Sequence, residues 1–191
     1  MTLKPGAEAQ RRQAEHEAWQ ILRRKQGYVT HRIYQEVNAP LRRLVYSEWE
    51  STKAVDGARQ YLQGTPLMRR ARSTLAAGPQ RLLVDLVGPV TSTKGLELPE
   101  AAIAVALTGR LAEPDEAWQS HALELWKILA ERPGHVTHVL FRGTDDPLLV
   151  GSLSHWNDAA AFDAALEHAK AQGKEALPPD VAAVHYKLVR N

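Results

Sequence analysis

The chain has 191 residues, of which 44% are apolar and 24% charged, so it is long enough and apolar enough to bury a core. It contains no cysteine, which excludes disulfides, thiolate metal sites and cysteine nucleophiles and agrees with a cytoplasmic location. No apolar run approaches the roughly 18 to 20 residues that cross a bilayer, and the first residues lack the apolar core of a signal peptide, so we expect no membrane partner.

The sequence is a tandem repeat. The stretch WQILRRKQGYVTH at residues 19–31 recurs 107 residues later as WKILAERPGHVTH, and the same register continues without a gap to Asp56 and Asp163. A solenoid unit has a period of roughly 20 to 50 residues, so each copy here should be a small domain. We assign residues 1–90 to repeat 1, 91–100 to a polar linker with Gly and Pro, and 101–191 to repeat 2.

The predicted elements of repeat 1 begin with an amphipathic helix over residues 6–26, which Gly27 ends. An alternating strand follows at 28–37, and after a turn at 38–40 a second strand runs over 42–50. The next stretch is mostly helical, with a break near Gly64-Thr65-Pro66, and a third strand closes the repeat. The helical stretch covers residues 51–77 and the third strand covers 81–90.

Repeat 2 adds a strand in front of this pattern. Its predicted elements are a strand at 101–111, a helix at 114–132, strands at 135–142 and 148–156, a helix at 158–172 and a strand at 181–189. This order is the ferredoxin-like split arrangement, an α+β fold in which the first strand lies between the third and the fourth.

Repeat 1 lacks most of its first strand, because the shift by 107 residues places that strand before Met1. Three alternatives follow. The strand at 81–90 docks in parallel beside 42–50 as a βαβ unit, a strand from elsewhere fills the gap, or the start codon was assigned too late.

The two halves carry opposite charge, since residues 1–90 have a net charge of +7 and residues 91–191 have −5. This difference favours docking of one repeat onto the other over an external polyanion. Arg69, Arg70 and Arg72 form a basic cluster, but no aromatic pattern or nucleic-acid motif accompanies it, so we expect no nucleic-acid partner.

Six of the eight histidines lie in repeat 2, but their spacing does not indicate a metal site. No HxH, HExxH or two-histidine-one-carboxylate spacing occurs on one element, and His135 and His138 should fall on opposite faces of their strand. We therefore expect no metal.

The turn at 38–40 lets side chains be placed across the hairpin, which predicts that His31 lies near Glu48. The same register pairs His138 with His155 in repeat 2. A histidine beside a carboxylate can act as a general base, with the carboxylate orienting the ring. The alternative is a cross-strand hydrogen bond that only holds the repeat together.

Four tryptophans recur at equivalent positions, namely Trp19 with Trp126 and Trp49 with Trp156. Repetition of this kind is typical of packing residues. Trp49 and Trp156, together with Tyr46, are also candidates for the wall of a ligand pocket.

Three motifs resemble the antibiotic biosynthesis monooxygenase domains of the dimeric α/β barrel superfamily. They are LKPGAE at 3–8, PGHVTH at 133–138, and a strand-ending Trp followed by a helix in SEWESTKA (47–54) and SHWNDAAAF (154–162). The resemblance covers nearly the whole chain. It implies that the two ferredoxin-like repeats pack sheet to sheet as a pseudo-dimeric barrel within one chain. Association of two such chains into a homodimer is a further possibility. It also implies a small-molecule ligand and either oxygen-dependent chemistry on small aromatic polyketides or quinols without metal or flavin, or haem degradation.

The functional residues of that family transfer poorly to this chain. Nine residues past the strand-ending Trp, where many members have His and haem-degrading members have Trp, this chain has Ala58 and Ala165. The first strand of repeat 2 contains no Asn, and the axial His of haem-degrading members would fall at Arg70 or Arg72, while His168 is too early. The resemblance therefore disfavours haem, and we expect no cofactor.

Two main hypotheses follow. In the first, the protein is a cofactor-independent monooxygenase for a small aromatic or quinol substrate, and His31 with Glu48, or His138 with His155, assists proton removal. In the second, it is a non-catalytic ligand-binding or structural protein in which duplication kept the fold and lost the site. Haem binding or degradation is a third and disfavoured alternative.

Overall fold

The computed structural model describes residues 1–80, 82–88, 94–113, 117–174 and 182–189. The chain divides into two compact units. The first unit comprises Met1–Gln80 together with the last residues from Leu188, and the second comprises Arg81–Lys187. The strand predicted to close repeat 1 therefore belongs to the second unit.

The first unit contains four strands and three helices among its described residues. They are β1 (Thr2–Leu3), α1 (Glu8–Leu22), β2 (Tyr28–Glu36), β3 (Arg43–Trp49), α2 (Thr52–Leu62), α3 (Pro66–Ser73) and β4 (Leu75–Ala77). β2 and β3 form an antiparallel hairpin, and β1 pairs with β4. The helical stretch predicted at 51–77 is two helices, because Pro66 begins α3 and the Thr65 hydroxyl caps it by accepting from the Met68 N–H.

The turn from α1 into β2 requires glycine. α1 ends at Leu22, earlier than predicted, and Gly27 lies beyond it with a φ of +79°. A Cβ on Gly27 would lie 2.6 Å from the Cβ of Ala54, so glycine lets this turn approach α2. Gly134 repeats the arrangement, with a φ of +88° and a distance of 2.5 Å to the Cβ of Ala161.

A buried ion-pair network joins α1 to the hairpin of the first unit. The Glu15 carboxylate accepts from Arg11 at 2.6 Å and from Arg43 at 2.7 Å. Glu15 and Arg43 have side chains only 5% and 4% exposed, so each charge depends on its partner for solvation. Small aliphatic contacts complete the packing of α1 on α2 and α3, through Ala14, Leu22, Ala58, Leu62, Leu67 and Ala71.

The second unit contains five strands and two helices among its described residues. They are β5 (Val84–Val87), β6 (Ile103–Arg110), α4 (Ala117–Ala130), β7 (His135–Gly143), β8 (Leu149–Trp156), α5 (Ala159–Ala171) and β9 (Ala182–Leu188), of which the last residue is assigned to the first unit. The strand order is β9-β6-β8-β7-β5, and each neighbouring pair is antiparallel. β6 therefore lies between β8 and β9, which confirms the ferredoxin-like prediction for repeat 2.

The core of the second unit lies between one face of this sheet and its two helices. Its buried members come from β6, β7, β8, α4 and α5, and they are Ile103, Val105, Leu107, Leu125, Trp126, Leu129, Leu140, Trp156, Phe162, Ala165 and Ala169. Among the described helices of the whole chain, none is long and apolar enough to cross a bilayer.

Near the start of repeat 1 the structure has the two-residue strand β1, where the sequence predicts the end of a first strand. The Arg43 N–H donates to the Met1 carbonyl at 2.9 Å, next to β1. The alternative in which the strand at 81–90 docks beside 42–50 is wrong. That strand is β5, which finds an antiparallel ladder along β7, with Val84 opposite Gly143 and Val87 opposite Leu140.

Four predicted element ends fall outside the described residues, namely 114–116 at the start of the predicted helix, position 181 at the start of the last strand, and both ends of the strand at 81–90, at 81 and 89–90. Of the predicted linker, residues 94–100 contain neither helix nor strand, and residues 91–93 also lie outside the described part.

Candidate functional site

The structure does not bring His31 and Glu48 together. Across the hairpin His31 lies opposite Ser47, and Glu48 lies opposite Thr30 on the other face. The predicted pairing is wrong by one residue, because the ladder that leaves the turn sets Gln35 opposite Arg43 and continues in that register to His31 opposite Ser47.

The same correction applies to repeat 2. His138 lies opposite Ser154, whereas His155 lies opposite Thr137, in the register that continues unbroken from Arg142 opposite Val150 near the turn. His155 is only 1% exposed and lies on the face away from His138. The predicted His138–His155 pair is therefore wrong as well.

An aromatic cluster surrounds His31 instead. Its imidazole stacks on the indole of Trp19, with ring centroids 3.9 Å apart and planes 8° from parallel. The His31 Nδ1 is hydrogen-bonded to the Tyr28 hydroxyl at 2.6 Å. Tyr28 in turn meets Trp49 edge-on at 5.4 Å, and the Trp49 indole N–H donates to the Ser47 hydroxyl at 3.1 Å. We call these five residues the first cluster.

Repeat 2 contains the same arrangement at equivalent positions. His138 stacks on Trp126 at 4.4 Å and 14°, and its Nδ1 lies 3.2 Å from the Nε2 of His135. His135 meets Trp156 edge-on at 5.1 Å, and the Trp156 indole N–H donates to the Ser154 hydroxyl at 2.9 Å. We call these residues the second cluster. The repeat thus preserves a pattern of contacts together with the residue types.

Burial keeps both stacked histidines neutral. It lowers the pKa of His31 to about 4, with smaller contributions from the positive charges of Arg23 and Arg32. Burial also lowers the pKa of His138 to about 4, with a smaller contribution from His135, whose own pKa burial lowers too. At neutral pH each ring therefore has one nitrogen lone pair that can accept a proton.

Sequence reasoning missed Tyr28, Ser47, His135 and Ser154, and it gave Trp19 and Trp126 a packing role only. The available signal was repetition: Ser47 recurs as Ser154, and position 28 carries a ring in both copies, as Tyr28 and His135. Trp19 and Trp126 pack as predicted and also form the surface on which each histidine stacks.

Tyr46 lies on the other face of the hairpin from Trp49. It pairs with Arg32 across the strands, and its hydroxyl donates to Glu48 at 3.1 Å. Burial raises the pKa of Tyr46 well above its usual value, and the neighbouring Glu48 carboxylate raises it further. Tyr46 and Trp49 therefore lie on opposite faces of the hairpin, and a ligand pocket at either residue stays a prediction.

A groove of about 410 Å³ lies in the second unit, at the ends of β7 and β8 and along α5. It is lined by Arg132, Pro133, Gly134, Asn157, Asp158, Ala161, Ala164 and Ala165. None of the predicted catalytic residues lines it. Within the described part of the chain, no three His, Cys, Asp or Glu side chains converge as metal ligands would.

Comparison with known proteins points to one family. The sequence model described as antibiotic biosynthesis monooxygenase matches residues 111–173, which include α4, β7, β8 and α5 of the second unit. These residues contain all five members of the second cluster, from Trp126 to Trp156. No curated protein matches the chain at a significant level.

Solved structures share the fold at low identity. A proposed monooxygenase from Fusobacterium nucleatum is similar over 99% of this chain and 89% of its own, with a TM-score of 0.75 and 10% identity. An anthrone oxidase-like protein is similar over 100% and 88%, with a TM-score of 0.65 and 14% identity. A proposed chlorite dismutase is similar over 99% and 91%, with a TM-score of 0.61 and 14% identity. Likeness at this level establishes the fold and leaves the reaction to the site.

Proposed function

Because residues 111–173 match the antibiotic biosynthesis monooxygenase model, we propose that the chain is a member of that family and a cofactor-independent monooxygenase for a small phenolic aromatic or quinol substrate. One observation carries this proposal: each repeat holds a neutral histidine stacked on tryptophan, with its Nδ1 held by the residue three positions earlier. That contact fixes the ring orientation and leaves Nε2 as the nitrogen offered to a substrate.

The chemistry needs a substrate that can itself reduce oxygen. When Nδ1 of the histidine carries the ring proton, Nε2 accepts a proton from an acidic C–H or phenolic O–H of the substrate. The resulting anion gives its electrons to O₂. For a methylene flanked by aromatic rings, one oxygen atom becomes the carbonyl of the product and the other leaves as water, so one methylene and one O₂ yield one ketone and one water.

The low pKa of the histidines sets a condition on the substrate. A base with a conjugate-acid pKa of about 4 holds a proton only briefly at neutral pH, so the substrate must form a stabilised anion. Phenols, quinols and anthrones meet this condition because their anions are delocalised over aromatic rings. The electrons come from the substrate, so the proposal assigns no metal, flavin or haem.

A second candidate is a non-catalytic ligand-binding or structural protein. The observation that favours it is the packing of the second cluster, where Trp156 and Ser154 are 0% exposed and Trp126 is 3% exposed. Residues this well buried stabilise a core whether or not any reaction occurs.

Oxygen uptake with a panel of quinols and anthrones tests the proposal. We expect turnover above buffer that falls by at least about tenfold in His31→Ala or His138→Ala, a loss within the range for removal of a general base. His121→Ala is the control, because His121 is exposed and lies outside both clusters. No turnover above buffer, or equal turnover in all three variants, would favour the non-catalytic alternative. A difference spectrum on adding haemin tests haem binding separately.

A further inference from the structure

The two clusters differ in how far the protein covers them. In the second cluster Ser154 and Trp156 have no exposed surface. At the equivalent positions of the first cluster, Ser47 is exposed and Trp49 is half-buried. The duplication therefore preserved one set of contacts in two environments, one closed and one open.

β6 closes the second cluster. Ile103 lies opposite Trp156 and Val105 lies opposite Ser154, whose hydroxyl reaches the Val105 carbonyl at 3.4 Å. Phe162 fills the remaining space, since it is 2% exposed and meets Trp156 edge-on at 5.5 Å. Side chains of the protein thus occupy the volume that a ligand would need.

Among the described residues, the first cluster has neither of these covers. β3 is the last strand of its sheet on that side, and the short strand β1 meets it only near Arg42 and Arg43. Phe162 corresponds to Val55, a smaller and half-buried side chain. Val45, beside Ser47 on the same face, is 37% exposed. A planar molecule can therefore reach Trp49 over the edge of β3.

The backbone at this edge offers hydrogen bonds to a ligand. Glu36 and Glu50 make backbone bonds across the hairpin, to Arg42 and Gly27, whereas the Arg43 N–H points away from β2 towards Met1. Backbone direction alternates along a strand, so the N–H and C=O groups of Val45 and Ser47 also point to the open edge. Together with the Ser47 hydroxyl, they can hold a phenolic or carbonyl oxygen.

We propose that the first cluster is the substrate-binding copy, that a planar phenolic aromatic lies over the open edge of β3 against Trp49, and that Nε2 of His31 takes its proton. This inference rests on the proposed function. The reaction is unchanged: the proton passes to His31, the substrate electrons go to O₂, and a ketone and water form. The second cluster is then a packed copy that stabilises its own unit.

Charge supports this choice. Arg23 and Arg32 lie close enough to His31 to lower its pKa, so their positive field also stabilises an anion formed beside it. The neighbouring group that contributes to the lowered pKa of His138 is His135, and this residue is itself neutral because burial lowers its pKa as well. An enolate or phenolate is therefore better stabilised in the first cluster.

Imidazole NMR of the intact protein tests the inference without turnover. The probe is 1,8-dihydroxyanthraquinone, a planar phenolic quinone already oxidised at the reacting carbon. We expect it to shift the ring signals of His31 and to leave those of His138 in place, with signals assigned from His31→Gln and His138→Gln. A shift of His138 alone, equal shifts of both, or no shift of His31 overturns the inference.

Kinetics separates failure of the inference from failure of the proposed function. With an oxidisable anthrone, His31→Gln should lower kcat by at least about tenfold, whereas the control His121→Gln, at an exposed histidine outside both clusters, should change kcat less than threefold. Turnover that depends on His138 and not on His31 would overturn the inference but would still support the proposed monooxygenase activity. If the quinone shifts the His31 NMR signals but no substrate is turned over, His31 lies at a binding site and the proposed reaction is wrong.

Discussion

The imidazole of His138 lies almost parallel to the indole of Trp126, with ring centroids 4.4 Å apart and planes 14° from parallel. His31 and Trp19 repeat this contact at 3.9 Å and 8°. Burial in these stacks lowers the pKa of both histidines to about 4, so both rings are neutral in the folded protein at neutral pH.

The lowered pKa values predict that acid destabilises the fold. In the unfolded chain a histidine has a pKa near 6.5 and binds a proton as the pH falls, whereas the folded rings stay neutral down to about 4. Their contribution to stability is therefore complete above about pH 6.5 and is lost progressively between that pH and about 4. Urea denaturation across this range measures the slope. The double variant His31→Phe, His138→Phe should flatten it, and His121→Phe should not; equal slopes would contradict the prediction.

Truncation of the two strand-ending tryptophans should have unequal effects. Trp156 is 0% exposed and packs on Phe162, so Trp156→Ala should cost about 3–5 kcal/mol of unfolding free energy. Trp49 is half-buried at an open edge, so Trp49→Ala should cost less than half as much. Chemical denaturation followed by far-ultraviolet circular dichroism makes the comparison. Equal losses would mean that the first cluster is as closed as the second.

The sequence predicted the order of elements because hydrophobic period, turn residues and the internal repeat all agree along most of the chain. It placed the site residues one position out of register, because the turn geometry sets which residues face each other, and the alternation of side chains alone does not fix that pairing. Gly64 and Pro66 marked the break between α2 and α3, but α1 ends before Gly27, since a positive-φ glycine can serve a later turn as well as a helix end.

Removal of the buried carboxylate in α1 should be strongly destabilising. Glu15→Gln leaves the Arg43 charge buried at 4% exposure without its counterion, which costs about 3–5 kcal/mol in comparable cases. Glu17→Gln, two residues along the same helix, is the matched control. Glu17 pairs with Arg70 at an exposed site, so its loss should cost less than about 1 kcal/mol. Thermal denaturation of both variants measures the two losses of stability. A similar loss in each would show that the burial of Glu15 does not increase the contribution of its ion pair to stability.

Alanine at Gly27 should cost more than alanine at another glycine of the same backbone conformation. Gly64 has a φ of +81° with no atom within 4 Å of an added Cβ, so Gly64→Ala should cost only the backbone strain, about 1–2 kcal/mol. Gly27→Ala adds a contact of 2.6 Å to the Cβ of Ala54, which should add about 1–3 kcal/mol. Calorimetric melting temperatures rank the two variants. The reverse order would mean that α2 moves aside easily.

β5 carries a consequence for how this chain could have evolved and how it can be divided. By sequence it closes repeat 1, yet it forms the edge ladder of the second unit beside β7. A fragment cut at the repeat boundary, residues 101–191, would leave the edge of β7 bare and prone to pair with other chains. A fragment that begins before Val84 would keep it covered. The stretch of chain that was copied and the stretch that folds as a unit are therefore different.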